Sequence, residues 1–143
     1  MIKYVVLVAL SLNNPGNIER GEHWKGMSQV QHSERFVEYQ SKTYGYRAMA
    51  IVLMNYQKLH GIQTLNGIIY RYAPMIDNNT EAYVEYVCAK TGYTKYKSID
   101  LTNPDILFSV MKAMARFEQG STFDDPDSII KRGIKRAIED GDK

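Results

Sequence analysis

Cysteine is the scarcest reactive residue in this 143-residue chain: Cys88 stands alone, so no intramolecular disulfide can form. Cys88 falls in an apolar helical pattern, where a small buried thiol is the expected role ahead of a nucleophile. A long hydrophobic run is also missing. The opening Met1-Ile2-Lys3-Tyr4-Val5-Val6-Leu7-Val8-Ala9-Leu10 is apolar but, at about ten residues, too short to cross a bilayer as a helix. It lacks a clear small-x-small cleavage site, and a buried strand or short core helix is the preferred reading over a degenerate export signal. Strong charge is absent as well. A formal net charge of +2 gives no electrostatic reason to invoke nucleic acid, and it does not oppose binding to an anionic wall polymer.

Several chemistries are missing their signatures. His23, His32 and His60 are scattered without the spacing of a zinc site, so neither a metal nor another cofactor is expected. There is no nucleophile elbow, no Ser-His-Asp pattern and no phosphate-binding glycine loop. Residues 48–72 read as two short helices around a glycine turn, a shape shared with DNA-binding motifs. The second of these helices carries Arg71 as its one cation, which leaves few phosphate contacts.

What is present is the composition of one soluble globular domain, 44% hydrophobic and 24% charged, without repeats, linkers or low-complexity tracts. Residues 13–35 read as an extended loop rich in Asn, Gly, Ser and His, and Phe36-Val37-Glu38-Tyr39 as a short strand. Helical periodicity then takes over. Ser41 caps a helix with apolar positions Tyr44, Ala48, Ile51, Val52, Tyr56 and Leu59, which Gly61 stops. Thr64 caps a second, ended by Pro74; Asn79 or Thr80 starts a third, carrying Tyr83, Val84, Val87 and Cys88 inward to a Gly92 stop. Thr102-Asn103-Pro104-Asp105 opens a fourth, with a capping hydroxyl, an early proline and a first-turn acid, running to Gly120. Asp125-Pro126-Asp127 opens the last, lined by Ile129, Ile130, Ile134 and Ile138. The expected fold is therefore mostly α, a single domain with at most a short β element in its N-terminal third.

Among the acids, Glu118 occupies the most awkward place. It lies at the C-terminal end of its helix, where the macrodipole disfavours negative charge, and beside the apolar stripe that includes Leu107 and Met114. Both effects raise a carboxyl pKa, the property a general acid needs for glycosidic cleavage. Asp124, Asp125 and Asp127 suit helix capping; one of them is a candidate second carboxylate opposite Glu118. The chain has eleven tyrosines and one tryptophan. Packing is the default role of the tyrosines, whereas Trp24, in a polar Gly-rich loop, suggests a sugar-stacking platform or a pin for that loop.

Asn13-Asn14-Pro15-Gly16-Asn17-Ile18, followed by Trp24-Lys25-Gly26, resembles the NNPGNI…W-x-G signature of a phage and prophage lysozyme-like family whose members are labelled endolysin or virion structural protein. Further similarities follow in order: Phe36-Val37 with Tyr44-Gly45-Tyr46-Arg47-Ala48, then Thr64 with Ile68-Ile69 and Arg71-Tyr72-Ala73-Pro74, then Asp77-Asn78-Asn79-Thr80-Glu81-Ala82-Tyr83, then Met114 through Glu118 to Gly120. Tyr72 stands where that family commonly has tryptophan and Asp77 where it has glutamate. Glu19 replaces a common arginine and inherits no catalytic role.

The resemblance implies a compact lysozyme-like domain acting on bacterial peptidoglycan as a muramidase or lytic transglycosylase, with Glu118 as general acid/base. A catalytically silent wall-binding or virion structural module on the same scaffold is the alternative. The implied substrate-binding residues are Asn13, Asn14, Asn17, Trp24, Tyr72, Asn78, Thr80 and Tyr83, the asparagine amides serving the loop backbone or the N-acetyl groups of a glycan. The expected partner set is peptidoglycan, without nucleic acid or a stable membrane span, and the expected state is a monomer. The expected place of action is the bacterial cell wall or periplasm, or the virion.

Overall fold

The structure is a computed structural model, described here for residues 12–73, 79–141 and 143. The N-terminal apolar run, the Pro74 stop and Asn78 lie outside the described residues. Among those described there are five α-helices: α1 (Lys42–His60), α2 (Leu65–Tyr72), α3 (Thr80–Thr91), α4 (Pro104–Gln119) and α5 (Asp127–Asp140). The mostly α fold is as the periodicity requires.

The helix ends follow local side-chain chemistry. The side chains of Ser41, Thr64 and Asn79 accept from the backbone N–H groups of Tyr44, Gly67 and Ala82, satisfying first-turn donors that the helix itself cannot. Gly61 and Gly92 close α1 and α3 in the left-handed conformation, at φ 65° and 80°. Two expectations shift. The cap of α4 is Asn103, which accepts from Asp105 and Ile106, because the Thr102 hydroxyl is already bonded to Asp100 at 2.5 Å. At α5 the expected capping acid Asp125 turns inward, and Pro126 precedes the helix without a side-chain cap.

The main core cluster is drawn from every helix, including Met49, Leu53, Ile68, Val87, Leu107, Met111 and Ile130, and Leu12 and Phe36 form a small second one. Helix α1 packs chiefly on α5, and α4 on α3 and α5. The α1–α5 approach depends on Gly133: a Cβ there would fall 2.6 Å from Tyr46 Cβ and 2.9 Å from the Arg47 backbone nitrogen. Glycine inside a helix costs about 1 kcal/mol, and here it admits the neighbouring backbone. Leu59 and Ile138 continue the apolar stripes in sequence yet are exposed. Cys88 is half-buried rather than buried.

Residues 12–40 form an irregular layer over the N-terminal part of α1. The strand expected at 36–39 is not a regular strand; single antiparallel bridges join Glu19 to Phe36 and Met27 to Tyr39. Asn14 explains how so irregular a segment holds together. It is fully buried, its Nδ2 donates to the carbonyls of Ile18 and Val37 at 2.9 Å each, and its Oδ1 accepts from Ile18 N at 2.9 Å. One side chain thus replaces a ladder of backbone bonds.

Candidate active site

The layer and the helices meet at Glu118. The turn through Pro15 and Gly16 places Asn17 in the left-handed region, φ 52°, a conformation that asparagine tolerates better than most residues. From there Asn17 Nδ2 donates to Glu118 Oε2 at 2.5 Å. Asn17 Oδ1 is buried and accepts no hydrogen bond from the described residues. Tyr72 locks the same turn from above, its hydroxyl donating to the Gly16 carbonyl. There is no room for a side chain at Gly16, where a Cβ would lie 2.3 Å from the Tyr72 oxygen.

Glu118 itself is 2% exposed at the penultimate position of α4. Burial pushes its carboxyl up from an ordinary 4.5 to about 7, against the opposing pull of hydrogen bonds from Tyr83 and Asn17. The expected direction of the shift is therefore present, with desolvation as its principal source. Tyr83 and Tyr72 are held far above the usual phenol range by burial and by the nearby Glu118 charge, so both remain neutral hydroxyls at neutral pH. The Tyr83 ring stacks on Phe117 at 4.1 Å between centroids, and Phe117 leans on Tyr86 at 5.4 Å. Behind Tyr72 stands Tyr56, edge-on at 6.5 Å, with the Arg71 guanidinium over its outer face.

Of the nine residues expected at the site, Asn78 lies outside the described residues, and the other eight divide sharply. Glu118, Asn17, Tyr72 and Tyr83 come together. Asn13 and Asn14 do not face a ligand: Asn13 Nδ2 is bonded to the Tyr39 carbonyl at 3.1 Å, and the Asn14 amide is spent inside the loop. Trp24 is 3% exposed and belongs to the core cluster, so it pins the loop and offers no open stacking face. Thr80 is buried with its hydroxyl donated to the Ala73 carbonyl at 2.7 Å. These four act structurally because each has its polar atoms or its ring taken up by the protein.

The aspartates near α5 are also committed. Buried Asp125 accepts from Tyr46 Oη and Lys42 Nζ, both at 2.5 Å, and Asp127 pairs with Lys112 at 2.8 Å. Asp124 is exposed. None of the three supplies a carboxylate against Glu118. Sequence reasoning passed over Tyr86, and it offered Phe117 only as a stripe residue and Asp125 only as a helix cap or second carboxylate. Nothing local distinguishes an inward-turned aspartate from a capping one.

The site thus combines a buried carboxyl whose raised pKa keeps a proton available at neutral pH, a neutral phenol and an amide with a spare acceptor, on a mostly helical scaffold. No family model matches the chain. It is 33% identical over 130 residues to Protein P5 of Pseudoalteromonas phage PM2, an alignment that covers 86% of this chain and 77% of the phage protein. The chain belongs to the family of that phage protein.

Proposed function

We propose that this chain is a phage-type peptidoglycan-cleaving glycosidase in which Glu118 is the general acid/base. The observation that carries the reading is the burial of Glu118, whose carboxyl is pushed up to about 7 and so keeps a proton to give at neutral pH. The lysozyme-like motif series supports it, because its ordered matches bring Asn17, Tyr72, Tyr83 and Glu118 to one place.

In this mechanism Glu118 protonates the leaving oxygen between N-acetylmuramic acid and N-acetylglucosamine as the glycosidic bond breaks. Asn17 orients the carboxyl and stabilises it once it is charged; Tyr83 adds a second hydrogen bond to the same group. Glu118 then takes a proton from the incoming nucleophile. A water gives the muramidase product, and the muramic 6-hydroxyl gives the anhydro product of a transglycosylase. The protein acts as a monomer on the bacterial wall, within the periplasm or from the virion. Among the described residues no helix is long and apolar enough to cross a membrane.

One observation favours a second reading, a silent wall-binding or virion structural module. Glu118 is almost wholly covered, so a glycosidic oxygen reaches it only if the surrounding loop yields. Mass analysis of peptidoglycan incubated with wild type and Glu118→Gln tests both. Reducing or anhydro-muramic ends released by wild type and lost in the variant support the glycosidase; binding without new ends from either protein overturns it in favour of the module.

A further inference from the structure

An open depression of about 480 Å³ lies at the C-terminal end of α4, lined by Tyr86, Arg116, Phe117, Gly120, Ser121 and Phe123. Its volume is in the range of small-ligand sites, and its lining mixes three partly exposed aromatic rings with a hydroxyl, a guanidinium and open backbone. Gly120 adopts φ 57° and ψ −136°, a conformation reserved for glycine, and a Cβ there would meet nothing within 4 Å. The turn therefore faces open space.

The depression is physically joined to Glu118. Phe117 forms part of its wall and stacks on Tyr83, the residue whose hydroxyl bonds Glu118. Arg116, on its rim, is exposed and lies within ion-pair distance of no carboxylate among the described residues. Its charge is not consumed by the fold, apart from a general favour at a helix C-terminus. Partly exposed rings suit a sugar, and an exposed guanidinium without an ion-pair partner suits a carboxylate.

We infer that this depression is a saccharide subsite for an N-acetylmuramic acid unit, with Arg116 binding a carboxylate carried on its lactyl arm. The inference rests on the glycosidase reading for its substrate class. The carboxylate belongs either to the lactyl group itself or to the attached stem peptide, and the two sources are separable.

Binding is measured by calorimetry in the Glu118→Gln background, which prevents turnover. The probes are glycan oligomers bearing stem peptides, the same oligomers with the peptides removed by an amidase, and chitotetraose, which has no carboxylate. Arg116→Gln is expected to weaken the carboxylate-bearing oligomers about tenfold or more and to leave chitotetraose unchanged. Loss on peptide-bearing oligomers alone assigns the stem peptide, whose amide bond masks the lactyl carboxyl; loss on stripped oligomers alone assigns the lactyl carboxylate, and loss on both means that Arg116 reaches either one. Ser121→Trp, which fills the depression from an exposed turn, is expected to weaken all three. Arg132→Gln, an exposed charge on α5, is expected to change none.

Unaltered binding in both Arg116→Gln and Ser121→Trp overturns the subsite, as does absence of binding to every oligomer, or an effect of Arg132→Gln equal to that of Arg116→Gln. Cleavage products separate this from the parent reading. Wild type that releases new ends while both depression variants bind as it does keeps the glycosidase and loses the subsite. Wild type that releases none while Arg116→Gln discriminates keeps the subsite and loses the glycosidase.

Discussion

Asn17 and Glu118, 101 residues apart in sequence, share a hydrogen bond of 2.5 Å that closes the N-terminal layer onto the end of α4. The donor is an amide and the acceptor a carboxyl, so the contact favours the charged form and opposes the upward pull of burial. Asn17→Ala removes that opposition. The Glu118 pKa is expected to rise further above about 7, and the alkaline limb of the activity profile, which reports loss of the acid's proton, to move up with it. Carbon NMR titration of the Glu118 carboxyl checks the shift independently of activity. The variant also loses about 1–2 kcal/mol of stability, from the broken bond and from placing alanine at φ 52°.

The raised carboxyl makes stability depend on pH with a definite sign. In the unfolded chain Glu118 ionises near 4.5; in the folded protein it holds its proton to about 7. Its contribution is fully present below pH 4.5 and fades as pH rises through 7, by about 3 kcal/mol in all. Glu118→Gln cannot ionise and is expected to lose none of it. Urea unfolding at pH 5 and pH 8 should show the gap between variant and wild type moving in favour of the variant at the higher pH. A gap that does not change with pH defeats the assignment.

Gly16 and Tyr72 interlock, which makes the turn before Asn17 sensitive to one methyl group. Gly16→Ala sets a Cβ 2.3 Å from the Tyr72 hydroxyl oxygen and 3.2 Å from Met49 Cγ. Overpacking of this kind costs about 1–3 kcal/mol. Thermal denaturation should show the loss, and Gly16→Ala, Tyr72→Phe should recover part of it, because the phenylalanine ring lacks the obstructing oxygen.

The helices were legible because each carries its own punctuation: Ser41, Thr64 and Asn79 cap, and Gly61 and Gly92 stop. Glu118 was legible for a related reason, since a helix-end acid beside Leu107 and Met114 conflicts with its surroundings. The choice between the two roles offered for Asn14 and for Trp24, loop strut or ligand contact, was not. An Asn-rich turn looks solvated in one dimension, and only the partners Ile18 and Val37 reveal that Asn14 is a buried strut. Trp24 likewise sits among polar neighbours in sequence and against the core in space. Long-range burial decides both cases, and local pattern contains no trace of it.

Asp125 offers the sharpest test of a feature that only the fold exposes. Its carboxylate takes a proton bond from Tyr46 on α1 and an ion pair from Lys42 one turn earlier, tying the segment before α5 to the start of α1. Burial and the Asp125 charge hold the Tyr46 phenol well above its ordinary range, so it remains a donor throughout. Asp125→Asn deletes the buried charge and leaves partly covered Lys42 with only Asp124, at 3.9 Å, as an ion-pair partner; the expected cost is about 1–3 kcal/mol. Tyr46→Phe alone removes one hydrogen bond and should cost about 1 kcal/mol. Because both partners converge on one carboxylate, the double variant is expected to fall short of the sum by about 0.5–1 kcal/mol. Chemical denaturation of the four proteins measures that coupling. Strict additivity would mean that Tyr46 and Asp125 do not act through a shared bond.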